Sequence, residues 1–219
     1  MSSDSPWLRD LRSLLKQQRE SVIVATGSEQ REIPQWHAYL EQVRQTLDIE
    51  TVDILFAEYV SPTDNWQQVQ GLLNQLYDWR AEGRIRYIGV TTHNRAIARQ
   101  LVQDARCDIL MHRYNMAHRK AEASVFPAAV AAEIPVVAFT NTRWGTLLKK
   151  HSDWLGEPPT AADCYRFGLY QPAIRLALTA PQTRQELEAN LAVLKAPCMS
   201  GQEITHWQTF GDQVYGKLH

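Results

Sequence analysis

No apolar run in the 219 residues approaches the roughly 20 needed to cross a bilayer, so a membrane span is not expected. Cysteine is scarce: Cys107, Cys164 and Cys198 are odd in number and scattered, with no CxxC. That excludes a disulfide framework and makes a reducing cytoplasm the expected compartment. An excess of either charge is also missing, with 23 Lys+Arg against 24 Asp+Glu, interspersed and without a basic stripe. Nucleic acid is therefore not the expected partner. The opening Met-Ser-Ser-Asp-Ser-Pro lacks the charged-then-apolar pattern of a signal peptide. No GxGxxG follows the first predicted strand, so a Rossmann dinucleotide fold has no support. No GxSxG is present, and no His lies at a telling distance from a Cys, which argues against a nucleophilic hydrolase. His112, His118 and Asp108 have a spacing that fits no zinc pattern, so no metal site is expected.

What the chain does have is alternation. Its length suits a single domain, 1–219, with a real core. Ser5 can cap a first helix from Pro6 to about Glu20, with Leu8, Leu11, Leu14 and Leu15 on one face. Ser21–Thr26 reads as a strand, its Val-Ile-Val-Ala run as apolar as a strand buried on both faces should be. Further strands are expected at Val52–Ala57, Ile85–Val90, Asp108–His112, Pro135–Thr140 and Ala173–Leu178. Helices fall between them at about Pro34–Leu47, Asn65–Ala81, Arg95–Asp104 and Ala121–Glu133, the last distorted by Pro127. A short helix carries Leu147 and Leu148. Thr160-Ala161-Ala162-Asp163 has the form of a capping box, with Asp in place of Glu, opening a helix to Tyr170. Helices at Thr183–Leu194 and Ser200–Tyr215 close the chain. Six strands alternating with helices, in repeats of about 30 residues, predict a parallel sheet with right-handed crossovers.

One stretch, Glu82 to Asn94, shows the repeating unit whole. Gly83 is the residue type wanted just past a helix C-terminus, a β-branched and aromatic strand follows, and Asn94 can cap the next helix. Between strand and cap lie Thr91, Thr92 and His93. In α/β folds the tips at the C-terminal ends of the strands carry ligands, which makes Thr91–Asn94 functional candidates. The plainer reading is that they turn the chain and cap a helix.

Several segments, in order, resemble those of one family. They are RESVIVAT at 19–26, LDIETVDIL at 47–55, GRIRYIGV at 83–90 and Arg113-Tyr114-Asn115, then Ala138-Phe139-Thr140 with Trp144-Gly145-Thr146-Leu147-Leu148, YRFGL at 165–169 and ELEANL at 186–191. Together they resemble strands three to seven and the closing helices of the aldo-keto reductases, over nearly the whole chain. The resemblance implies a divergent bacterial member whose α/β fold is an incomplete (β/α) TIM-type barrel of about six parallel strands. It also implies that the chain begins at the helix before the family's third strand, so that the first two strands are lacking.

The family moves hydride between NADP(H) and a carbonyl, with a Tyr donating the proton and a Lys, an Asp and a His in support. Hydride delivery needs such a donor for the developing alkoxide. The segment supplying the Asp and Tyr has no counterpart here. At the family's Lys position stands Gly27, and at its His position Glu58, followed by Tyr59. The resemblance still implies a cofactor wall. Thr91 and Thr92 replace the Ser-Asn pair at the nicotinamide carboxamide, and His112 replaces a Gln. Phe139 matches the aromatic that stacks on the nicotinamide, and Thr140 opens the pyrophosphate loop, where Arg143 and Gly145 would meet phosphate oxygens. Thr183 and Arg184 lie near the 2′-phosphate site and Asn190 at the adenine contact. Glu186 stands where many members have an Arg, which counts against NADP(H).

Lacking strands would leave Val22–Thr26 and Ile174–Leu178 as open apolar edges, which invite pairing. A homo-oligomer, a protein partner covering the edges, or repacking that joins them is expected, with Trp7, Trp36 and the first helix as covers. Two functional readings follow. The first is a non-catalytic binding or assembly subunit that keeps nicotinamide nucleotide binding. The second is an active NADP(H)-dependent oxidoreductase on a small carbonyl compound, using Glu58 or partner-chain residues. Loss of four catalytic positions together favours the first.

Overall fold

Asn65 accepts from the backbone N–H groups of Gln67 and Gln68, and Gly83, at φ 75°, stops the helix that this cap begins. Such local signals place most elements of the structure, a computed structural model that describes residues 5–215. The described residues group into two compact units. One runs to Ile97 and takes in Ala105–Ile109; the other holds Ala98–Asp104 and the chain from Leu110 onward.

The first unit contains α1 (Pro6–Gln18), β1 (Ala25–Ser28), α2 (Ile33–Leu47), β2 (Val52–Ala57), α3 (Trp66–Ala81) and β3 (Ile85–Thr91). The strand β2 pairs in parallel with β1, Ala25 opposite Ile54, and with β3, Val52 opposite Ile85. Its core joins Leu55, Phe56, Ile88 and Val90 of the sheet to Val69, Leu72, Leu73 and Leu76 of α3, whose spacing makes one helix face. Trp36 is wholly buried, whereas Trp7 is exposed. Asn94 accepts from the N–H groups of Ala96 and Ile97 at the start of α4 (Arg95–Gln103).

Two expectations change here. Ser5 precedes α1 but makes no side-chain cap, and its hydroxyl is buried without a partner. The first strand is not Ser21–Thr26 but Ala25–Ser28, after a 3₁₀ turn at Arg19–Ser21. The reason lies in side chains. Arg19 donates to the carbonyls of Val22 and Thr51 and pairs with Asp53, while the Val24 N–H donates to Asp53. Side chains thus claim the Val22 carbonyl and the Val24 N–H, leaving only the Val24 carbonyl to accept from the Asp53 and Ile54 N–H groups of β2, and Ile23 is 72% exposed, not buried on both faces.

The second unit contains β4 (Ile109–Arg113, all but its first residue), α5 (Val125–Ala131), β5 (Val136–Phe139), α6 (Ala161–Leu169), β6 (Ile174–Ala177), α7 (Arg184–Leu191) and α8 (Gly201–Val214). The strand β5 pairs in parallel with β4, Arg113 opposite Phe139, and with β6, Ala138 opposite Ala177. Buried Tyr114 stacks on Phe167 and meets Phe126 edge-on. Capping boxes open α6, with Thr160 and Asp163, and α8, with Ser200 and Glu203. The expected Ala121–Glu133 helix starts at Val125, after a 3₁₀ turn at Lys120–Ala123. Pro127 therefore lies in its first turn, where the missing N–H costs no helical bond and no distortion is needed. Leu148 closes a 3₁₀ turn, Thr146–Leu148, and the predicted Thr183–Leu194 helix ends at Leu191, its last turn tightening to 3₁₀ at Ala192–Lys195. Among the described residues there are six strands alternating with helices, each paired in parallel, and no helix is long and apolar enough to cross a membrane.

Candidate functional site

At the C-terminal end of β2 the chain turns sharply: Tyr59 is left-handed, at φ 51°. Its N–H donates to the Thr91 hydroxyl at 2.8 Å, and the Val60 N–H donates to the Thr91 carbonyl at 2.9 Å. The Thr92 hydroxyl donates to the Val60 carbonyl and accepts from the Asn94 N–H at 3.0 Å. Thr91 and Thr92 are both buried, and their hydroxyls hold the turns after β2 and β3. The half-exposed Tyr59 ring lies beside His93, with centroids 5.6 Å apart.

Glu58, between β2 and this turn, is half-buried. A Cβ built on Gly27 would lie 2.7 Å from the Glu58 Cγ, 2.8 Å from its Oε1 and 2.6 Å from the Phe56 carbonyl oxygen. No side chain fits at position 27 while Glu58 stands there. Burial, and then the nearby Glu29 charge, raise the Glu58 carboxyl above its ordinary 4.5.

In the second unit a cleft of about 660 Å³ opens beside the ends of β5 and β6, within the size range of small-molecule sites. Three of the five residues from Thr140 to Trp144 in the loop after β5 are non-glycines with left-handed backbone: Thr140 at 55°, Arg143 at 50° and Trp144 at 52°. Such conformations cost energy and cluster at functional sites. Gly145 follows at 77°, and a Cβ there would meet nothing within 4 Å, so its backbone faces open space. The cleft is lined by Phe139, Thr140, Asn141, Trp144, Tyr165 and Thr179, with Glu186 and Asn190 from α7. The Thr140 hydroxyl and the Asn141 Oδ1 are buried without hydrogen-bond partners. The Thr179 hydroxyl accepts from the Tyr165 hydroxyl at 2.9 Å and from the Asn190 Nδ2 at 2.7 Å.

Of the residues singled out in the sequence, the structure brings Phe139, Thr140, Gly145 and Asn190 to this one cleft. Arg143 does not line it; its guanidinium donates to the Val214 carbonyl at the end of α8. Arg184 also lies outside the lining: its side chain is 90% exposed and pairs with Glu188 one turn along α7. Thr183 caps α7, accepting from the Glu186 N–H. His112 is buried within β4. Sequence reading missed Asn141, Trp144, Tyr165 and Thr179 as lining residues. Thr179 follows the end of β6, so the rule that ligands gather at strand C-termini would have found it.

The model of the Aldo/keto reductase family matches residues 7–154. Among solved structures, an aldo-keto reductase from Bacillus halodurans in its holo form has a TM-score of 0.78 at 16% identity, over 93% of this chain and 76% of that one. Its apo form gives 0.76 at the same identity and coverage. A thermostable aldo-keto reductase in complex with the inhibitor epalrestat gives 0.73 at 16% identity, over 93% of this chain and 77% of that one. At such identity the likeness establishes the fold, that of the family's TIM-type barrel. None of the curated proteins matches the chain. With six strands alternating with helices, a cleft at the strand ends and a family match over well over half its length, the chain belongs to the aldo/keto reductase family.

Proposed function

We propose that this chain binds a nicotinamide nucleotide but lacks the reductase proton relay, and serves as a non-catalytic binding or assembly subunit. The observation that carries this is the packing at Gly27. The relay needs a lysine there, and the place its side chain would start from is filled by Glu58. The supporting positive charge is thus replaced by a carboxylate, which opposes rather than lowers the pKa of a neighbouring phenol. Nucleotide binding rests on the β5–β6 cleft, which Phe139, Thr140, Gly145 and Asn190 line together. A bound nicotinamide nucleotide would supply or accept hydride; this chain's residues would hold and orient it. Thr91, Thr92 and His112 act in this reading as buried supports of the strand ends.

A second reading has one observation in its favour. The raised carboxyl of Glu58 holds its proton more readily than an ordinary carboxyl, as a general acid must. In that case the protein is an active oxidoreductase on a small carbonyl compound. Titration with reduced nucleotide, followed by turnover on a panel of aldehydes, separates the two. Saturable binding without turnover is expected; turnover that Glu58→Ala abolishes would establish the second reading instead.

Self-association completes the proposal. Among the described residues β1 pairs only with β2 and β6 only with β5, and Ile23, Leu176 and Leu178 are exposed. Such edges are covered in stable proteins, here by further copies of the chain. Three free cysteines, two of them buried, suit a reducing cytoplasm.

A further inference from the structure

Resting on the nucleotide reading above, we infer that the β5–β6 cleft selects a nucleotide whose ribose 2′-hydroxyl is free, NAD(H), and rejects a 2′-phosphate, as in NADP(H). The cleft fits the first and not the second. Glu186 is the one charged side chain among its lining residues, and it is an acid. Neither nearby arginine lines the cleft: Arg184 projects outward beside Glu188, and Arg143 donates to the Val214 carbonyl. A 2′-phosphate, carrying roughly 1.5 to 2 negative charges, would enter with a carboxylate beside it and no lining cation to offset it.

The start of α7 is a poor substitute, because Glu186 sets its own negative charge there. Helix N-termini attract anions through unpaired N–H groups and the macrodipole. Here the Glu186 N–H already donates to the Thr183 hydroxyl, the Leu187 N–H to the Thr183 carbonyl, and the Glu186 carboxylate itself occupies the first turn. The Gln182 N–H, just before the helix, donates to the Glu186 Oε2 at 2.7 Å. Oε1 is left to accept from a hydroxyl, the role an acidic residue plays toward the ribose 2′-hydroxyl in dinucleotide folds.

Another polar group of the cleft suits the uncharged parts of the ligand. Thr179 accepts two hydrogen bonds, from Tyr165 and Asn190, so its own proton is left for a ligand oxygen or ring nitrogen. Exposed Trp144 offers a flat face for stacking at the rim.

Equilibrium titrations of the purified chain with NADH and with NADPH, read by nucleotide fluorescence, test this. NADH is expected to bind at least tenfold more tightly. Glu186→Arg should narrow or reverse that ratio, and Glu186→Gln should improve NADPH binding alone. Glu186 is exposed, so neither variant disturbs the core, and circular dichroism verifies that both keep their helices. Equal or tighter binding of NADPH to the wild type overturns the inference and leaves the nucleotide reading standing. An unchanged ratio in Glu186→Arg also overturns it. If neither nucleotide binds, both the inference and the nucleotide reading fall.

Discussion

His118, in the turn after β4, donates from its backbone N–H to Asn115 and shares a ring hydrogen bond with the same side chain. Burial, then the charges of Arg113, Arg143 and Lys120, lower its pKa from 6.5 to about 4. In the unfolded chain the ring protonates near its ordinary value, so between pH 6.5 and 4 the unfolded state binds more protons. The stability linked to His118 is therefore fully present above 6.5 and is lost as pH falls toward 4. Urea midpoints of the wild type should drop across that window, and those of His118→Asn should drop less. Glu58 runs the other way. Its raised carboxyl makes the fold more tolerant of the protonated form, so its unfavourable contribution grows as pH rises above 4.5. At this scale, chain position was a poor guide to direction. Arg143 and Thr140 share one loop, yet only Thr140 lines the cleft, because left-handed residues re-aim the side chains between them.

Elements were more legible, since the signals that start and stop them lie within a few residues. The capping boxes at Thr160–Asp163 and Ser200–Glu203 could be read or nearly read from residue type alone, and both form. Thr160→Ala and Ser200→Ala should each lower unfolding free energy by about 1 kcal/mol in denaturant titrations. The helix α8 is also set by a contact invisible in the sequence. A Cβ at Gly211 would lie 1.9 Å from the Met116 carbonyl oxygen, and Arg119 ties the same turn to Gln208 and Asp212. Backbone cannot give way as a side-chain tip can, so Gly211→Ala should cost about 1–3 kcal/mol, more than either cap. The strand that moved, β1, did so because Arg19 and Asp53, distant in the chain, claim the backbone of Val22 and Val24. No local pattern announces that.

For the whole molecule, the exposed strand edges make oligomeric state the measurable quantity. Light scattering should report a dimer or larger species, and Ile23→Lys with Leu178→Lys should shift it toward monomer. A wild-type chain that stays monomeric without a partner would remove the proposed self-association. What the sequence by itself determined is the alternation of six strands with helices, most of their caps and stops, and family membership. Each depends on periodicity and on residue types read within a short window. Only the tertiary structure decided that Glu58 fills the space at Gly27, that Thr91 and Thr92 spend their hydroxyls on neighbouring turns, and that the cleft holds Glu186 but neither Arg143 nor Arg184. Those outcomes depend on where side chains point once segments far apart in the chain are packed together. Residue type alone does not specify that direction.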